Sequence, residues 1–334
     1  MRAFLTIVLL PMLCALLPST AQAQVQIDPV VIEALTQLRA DDVRVATIAY
    51  GIATASAEIC PVTQSLTGMV VHDLSQYNDR FRDGAVRLFG ADRGIAVEGV
   101  VPGSPADRAG LKPNDLLIAI DTAGLDRLSG SKDHMPSVRA WIDQAMADGK
   151  AVVRLLRDGK PMTIAVDGVK GCVSRIEIRP SQEYNGWADG VTAQLSSAMV
   201  DFTRDDDELA TVIAHEMAHN ILRHRERLNA AGLKRGLLAK FGRNARLVRQ
   251  TEIEADRLAV YLIARAGHDP HAATRFWDRL LDQHGPGIMA DGTHLGRSKQ
   301  VALVEGVARE VDALRATGQP LVPPLLKGPP PPLD

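Results

Sequence analysis

Two histidines and a glutamate in residues 213–224, IAHEMAHNILRH, have the types and spacing of a metal centre. His215 and His219 stand four residues apart, so on an α-helix they share one face, a turn from each other. Imidazole is the commonest metal ligand, and two such rings can hold one zinc ion. Glu216 directly follows the first histidine and projects close by. A carboxylate there can take a proton from an activated water and deliver it to a leaving amine. Zinc with three protein ligands and one open position needs a further donor. Residues 250–267, QTEIEADRLAVYLIARAG, offer Glu252 as that ligand. Asp256, four residues on, shares its face and can accept the free ring N–H of a ligand histidine, His215 being the expected donor. Glu254 points elsewhere by helical geometry. The alternative is a pair of ordinary helices, one with chance histidines and one with a solvated acidic face. Burying a His-Glu pair on an apolar helix is costly without a metal or partners, which favours the metal centre.

Both stretches are patterned as helices. Asp205 followed three residues later by Glu208 is a capping arrangement. Leu209, Val212, Ile213, Met217, Ile221 and Leu222 then recur at helical spacing and predict a buried helix over 206–225. Ile253, Leu258, Val260, Leu262 and Ile263 predict a second helix, which Gly267 ends. Between the two, residues 228–241, with Gly232, Gly236 and the adjacent Gly242 as hinges, read either as a lid over the cleft or as a helical hairpin that packs.

The elements that hold these helices must come from a chain of 334 residues, 46% of them hydrophobic, enough for two modest domains. A net charge of −2 and only 4% aromatic residues argue against a nucleic-acid binder. Met1-Arg2, an apolar run over 3–17 and the A-x-A end at Ala21-Gln22-Ala23 predict a signal peptide, 1–23. The run is short of the roughly 20 apolar residues a membrane span needs, so an uncleaved anchor is the lesser alternative. The expected location is periplasmic or secreted, with no transmembrane span after cleavage. Cleavage removes Cys14 and leaves Cys60 and Cys172. An even pair in an exported chain is expected to form one disulfide, with two buried thiols as the alternative.

Residues 94–125, GIAVEGVVPGSPADRAGLKPNDLLIAIDTAGL, alternate strand-like runs with turn signals. Further on, 151–156 and 162–166 form a hairpin around Asp158-Gly159. The elements V-x-P-G-S-P-A at 100–106, A-G-L at 109–111 and K-P-x-D at 112–115 resemble the PDZ domain of bacterial exported proteases. That resemblance implies a loop whose backbone N–H groups hold a peptide carboxylate, and a strand edge that the peptide extends. It assigns the loop to Leu88-Phe89-Gly90, so Phe89 and Gly90 are candidate substrate-binding residues, and the edge to Ile95, Ala96 and Val97. Asn114 stands where the family usually has glycine, and asparagine tolerates the left-handed backbone of such a turn. A module that only props up its neighbour is the alternative.

The paired motifs H-E-M-A-H at 215–219 and E-I-E-A-D at 252–256 resemble those of the HtpX-like and CAAX-prenyl-protease-like zinc metallopeptidases, over residues 176–313. The resemblance implies one zinc ion on His215, His219 and Glu252, Glu216 as general base and then acid, and Asp256 as the residue that orients a ligand. Asp291-Gly292-Thr293-His294 with Arg297 is similar to a further family segment, with Leu295 where proline is usual. It implies a catalytic role for His294, against a plain surface histidine, and makes Arg297 a second candidate donor to a developing oxyanion. Asn185-Gly186-Trp187-Ala188 resembles the edge segment that holds substrate as an added strand, which makes Asn185 and Trp187 candidate substrate-binding residues. Trp187 as core is the alternative. His224, His268, His271 and His284 read as ordinary surface or packing histidines.

The expected fold is α+β: a mainly helical zincin-type metallopeptidase domain with a small edge sheet, plus a small β-rich PDZ domain. The expected order is a signal peptide at 1–23, a helical segment at 24–84 packing on the peptidase domain, the PDZ domain at 85–168, the metallopeptidase domain at 169–319 and a proline-rich tail at 320–334. The expected activity is that of an exported zinc endopeptidase acting on unfolded or C-terminally exposed proteins. The PDZ domain would recruit or gate substrates, in quality control of the envelope. The rival from another class is a PDZ-based peptide-binding or chaperone protein whose zinc site is gated or vestigial. Against it, a purely structural zinc site takes four protein ligands and has no use for Glu216.

Overall fold

The computed structural model describes residues 27–125, 134–233, 242–288, 295–328 and 332–333. The leader at 1–23, His294 and Gly236 lie outside the described residues. Helix α1 (Pro29–Ala55) opens with Asp28 accepting the Val30 N–H and proline in its first turn. It serves two cores. Val31 and Leu35 join a small cluster with Tyr77, Ala85 and Phe89. Val45, Ile48, Ala49 and Ile52 join the main core, around the predicted metal helix.

Next come β1 (Thr63–Leu66), β2 (Met69–His72), α2 (Asp79–Phe89), β3 (Ala96–Val100), α3 (Pro105–Arg108), β4 (Leu116–Ile120), β5 (Ala123–Gly124), α4 (Met135–Ala145), β6 (Lys150–Arg157), β7 (Lys160–Asp167) and β8 (Val169–Cys172). An antiparallel sheet runs in the order β2-β3-β4-β6-β7, with β5 alongside β4. The β6–β7 turn puts Asp158 at φ 51° and Gly159 at φ 75°, the paired left-handed residues of a tight hairpin. Asn114 takes φ 70° and accepts an Arg39 hydrogen bond at 2.8 Å. Strand β1 pairs with β8, Thr63 opposite Cys172, and the Cys60–Cys172 disulfide closes this entrance to the module across 112 residues.

Here the structure corrects the expected peptide-binding elements. Strand β3 is paired on both sides, so Ala96 and Val97 offer no free edge, and Ile95, just before it, is buried with its carbonyl taken by the Leu117 N–H. Helix α2 separates β3 from β2, and the terminal strand next to β3 is β2, earlier in the chain than the expected edge. Phe89 is 5% exposed, beside the His72 and Tyr77 rings, with the Arg39 guanidinium 3.7 Å above it. Gly90 caps α2 in a left-handed conformation. Both are structural residues of the α2 terminus.

The remaining elements are β9 (Arg175–Arg179), β10 (Gly186–Ala188), β11 (Thr192–Ser196), α5 (Ser197–Phe202), α6 (Asp206–Ile221), α7 (His224–Ala230), α8 (Gly242–Arg265), α9 (Ala272–Ile288) and α10 (Arg297–Ala316). The sheet order is β10-β11-β9, so β10 is a terminal strand. Every residue of α6 from Glu208 to Ile221 except His219 is buried. Leu258, Tyr261 and Leu262 of α8, Phe276 and Leu280 of α9 and Val307 and Val311 of α10 pack in the same core. The fold is α+β, a helical domain with a small sheet beside a β-rich one. Among the described residues no helix is long and apolar enough to cross a membrane.

Candidate metal centre

Helices α6 and α8 pack side by side and bring His215, His219 and Glu252 together. His215 Nε2 lies 3.2 Å from His219 Nε2 and 3.3 Å from Glu252 Oε2, and His219 Nε2 lies 3.6 Å from the same oxygen. Ligands at about 2.0–2.1 Å on a tetrahedral ion are separated by about 3.3–3.4 Å. The three atoms therefore stand as three corners around one zinc-sized ion. The donor set, two imidazoles and one carboxylate, also suits zinc.

The electrostatics agree. Burial opposes a positive charge on His215, but the Asp256 and Glu252 carboxylates outweigh it and raise its proton affinity well above the histidine range. Carboxylates that hold a proton this way favour a divalent cation in its place. His215 Nδ1 lies 3.0 Å from Asp256 Oδ1, so with Nε2 facing the ligand cluster Nδ1 is the donor. Asp256, 1% exposed, accepts a second hydrogen bond from Gln300 of α10 at 2.6 Å.

A further layer stands behind His219. His224 is 1% exposed, so of the two expected roles, surface or packing, the surface one is excluded. Its Nδ1 lies 2.9 Å from His219 Nδ1 and its Nε2 lies 3.2 Å from Glu254 Oε2. Arg227 grips both Glu254 oxygens, at 2.5 and 3.2 Å, and Gln250 donates to one at 3.1 Å. Burial holds the His224 ring neutral, with its pKa lowered to about 4. Burial would raise Glu254, but the hydrogen bonds from His224 and Arg227 bring it down to about 2. Glu254 does point away from the ligands, but into this network and not into solvent.

Glu216 is 8% exposed on the same helix, and its carboxylate packs against Gly186 of β10. An added Cβ at Gly186 would lie 2.2 Å from Glu216 Oε1, so the carboxylate meets the backbone of the terminal strand directly. Asn185 shapes that strand: its side chain accepts the Gly186 N–H at 2.9 Å, and its backbone pairs with Ser196. Trp187 is half-buried, with the Arg179 guanidinium 5.2 Å above its ring. A cavity of 340 Å³ beside the centre is lined by Ala188, His219, Leu228, Val248 and Glu252 among others.

Arg297 does not join the centre. Its guanidinium is bound by Asp278 and Asp282 of α9, and the side chain is 45% exposed. One turn further along α10, Gln300 donates to Asp256. A second cavity, of 280 Å³, lies between β2, α4, α1 and β9. Asp42 and Glu98 line it; burial and their mutual repulsion raise the Asp42 carboxyl to about 8.

Two histidines and a glutamate on packed helices, with a second glutamate against a terminal strand, define a metallopeptidase-type centre. Residues 172–305 match the model of peptidase family M48, and residues 97–157 match that of the PDZ domain. The chain thus carries a peptidase family M48 domain joined to a PDZ domain. The mitochondrial metalloendopeptidase OMA1 of Schizosaccharomyces pombe is 28% identical over 135 residues, 34% of this chain and 40% of that protein. The beta-barrel assembly-enhancing protease of Escherichia coli is 30% identical over 122 residues, 28% of this chain and 25% of that protein. Its namesake in Yersinia pestis is 27% identical over 224 residues, 53% of this chain and 44% of that protein. The chain spans less than half the length of each of these relatives.

Proposed function

We propose that this protein is an exported zinc endopeptidase that cleaves unfolded or C-terminally exposed proteins. The observation that carries the reading is the spacing of the His215, His219 and Glu252 ligand atoms, 3.2–3.6 Å apart, with Glu216 on the same helix beside the terminal strand β10. A zinc ion held by His215, His219 and Glu252 would supply Lewis acidity and ease the loss of a proton from the attacking water near neutral pH. Glu216 takes the proton of the attacking water at its carboxylate and returns it to the leaving amine. A substrate strand added to β10 places its scissile bond next to Glu216, and Asn185 and Trp187 shape that strand. The cavity lined by Leu228 and Val248 accepts a substrate side chain.

The PDZ module recruits or gates substrate through the cavity between β2 and α4, which α1 and β9 also wall. The chemistry of that recognition is strand addition to β2. The apolar leader and the Cys60–Cys172 disulfide support export to an oxidising compartment. Protein quality control in the envelope is the role this combination suits.

Metal content and cleavage of unfolded casein, measured on the mature protein and on Glu216→Gln, test the reading. One zinc per chain in both, with cleavage lost only in the variant, is expected. Absence of zinc from the wild-type protein would sink it.

A further inference from the structure

We infer that His224 is a positioning residue for the metal ligand His219, acting through a tautomer relay that ends on Glu254. The inference rests on the metal-centre reading above and adds a residue outside the ligand motif. His219 turns its Nε2 toward His215 and Glu252, so Nδ1 carries its ring proton when Nε2 ligates. That Nδ1 lies 2.9 Å from His224 Nδ1. Two ring nitrogens at this distance need one donor and one acceptor. His224 Nδ1 is therefore the acceptor, its proton sits on Nε2, and Nε2 donates to Glu254 Oε2 at 3.2 Å. Arg227 and Gln250 saturate the other lone pairs of Glu254 and fix the end of the relay. Each proton in the chain has one place, and His219 is held in the tautomer that leaves Nε2 free for metal.

The backbone makes the same point independently. On a continuous helix His224 would lie about 140° around the axis from His219, off its face. Helix α6 stops at Ile221 and Arg223 adopts φ 54°, ψ 40°, a left-handed conformation unusual for a residue other than glycine or asparagine. That break turns His224 inward beneath His219.

Zinc affinity of the full mature chain, read by competition with a chromophoric chelator, separates the relay from packing. His224→Leu fills the volume but neither accepts nor donates, and is expected to weaken zinc about 10–100-fold. His224→Gln keeps one acceptor and one donor, and is expected to stay within about threefold of wild type. Equal losses in the two variants, or wild-type affinity in His224→Leu, would overturn the relay. Should His224→Leu fail to fold, Glu254→Met, which removes the acceptor of the His224 Nε2 proton, reads the far end of the same chain; it is expected to weaken zinc about tenfold, and an unchanged affinity would overturn the relay equally. Glu252→Ala serves as the control on the centre itself. If it leaves zinc binding intact, the metal-centre reading fails; if it abolishes binding while His224→Leu does not, only the relay fails.

Discussion

Glu208→Gln tests whether the metal helix is anchored at its first turn. Glu208 is 2% exposed, and its carboxylate takes both arms of the Arg279 guanidinium at 2.5 Å and the Arg204 N–H at 2.8 Å. Asp205 accepts the Glu208 N–H at 2.8 Å, so the cap and the ion pair meet at one residue. Glutamine keeps the shape but removes the charge and turns an NH₂ group against the guanidinium. Breaking a buried pair from one side costs about 3–5 kcal/mol. Arg279 keeps its hydrogen bond to the Phe202 carbonyl and its place over the Phe202 ring, so the low end, about 3 kcal/mol, is expected. For a domain of this size that lowers Tm by about 6–12 °C. The pH dependence follows from the same contacts. Burial would raise the Glu208 carboxyl, but Arg279 and the Arg204 N–H outweigh it and hold it below the ordinary range. Its support is therefore complete above an unfolded-state pKa of about 4.3, and is lost as pH falls through the lower folded value. Urea unfolding of the metal-free protein, followed by circular dichroism from pH 7 downward, should show a gap between wild type and variant that narrows in acid. A loss within about 0.5 kcal/mol at pH 7, the size of an ordinary surface change, would refute the anchoring.

Asp256→Asn replaces a charge-assisted acceptor of the His215 N–H with a neutral one, a loss of about 1–1.5 kcal/mol. The zinc dissociation constant should rise about tenfold, measured by chelator competition. Reducing the Cys60–Cys172 bond opens a loop of 112 residues, and should destabilise the chain by up to about 4–5 kcal/mol, read as a lower urea midpoint with reductant.

The convergence of His215, His219 and Glu252 was legible because the spacing within each helix is set locally. Two i, i+4 pairs, His215 with His219 and Glu252 with Asp256, need only that both segments be helical, and both carry strong apolar periodicity. The Asp158-Gly159 hairpin was legible for the same reason, and the disulfide, which spans 112 residues, because two cysteines allow only one pairing. The peptide-binding edge was not. The position of β2 depends on which strand β3 pairs with beyond β4, a long-range choice hidden by the α2 insertion. Arg297, expected as a donor near the centre, is held instead by Asp278 and Asp282 of α9, a pairing that its own segment does not reveal, and the Gln300 contact to Asp256 had no sequence signal.

His224 shows most clearly what spacing leaves out. Periodicity predicted one helix through 225, which would aim His224 away from His219. The helix breaks instead at Arg223, a residue with no intrinsic preference for the left-handed region. Such a conformation costs of order 1–3 kcal/mol and persists only where the surroundings over-determine it. Here those surroundings are Glu254 and Arg227, both charged and drawn from different helices, closing on a buried ring. Leaving Glu254 buried without Arg227 and His224 would be costlier than the strained residue. The buried ion pair thus selects the break, the break places His224, and His224 meets the free nitrogen of a metal ligand. None of these steps can be read from one segment, because each is decided by the segment opposite.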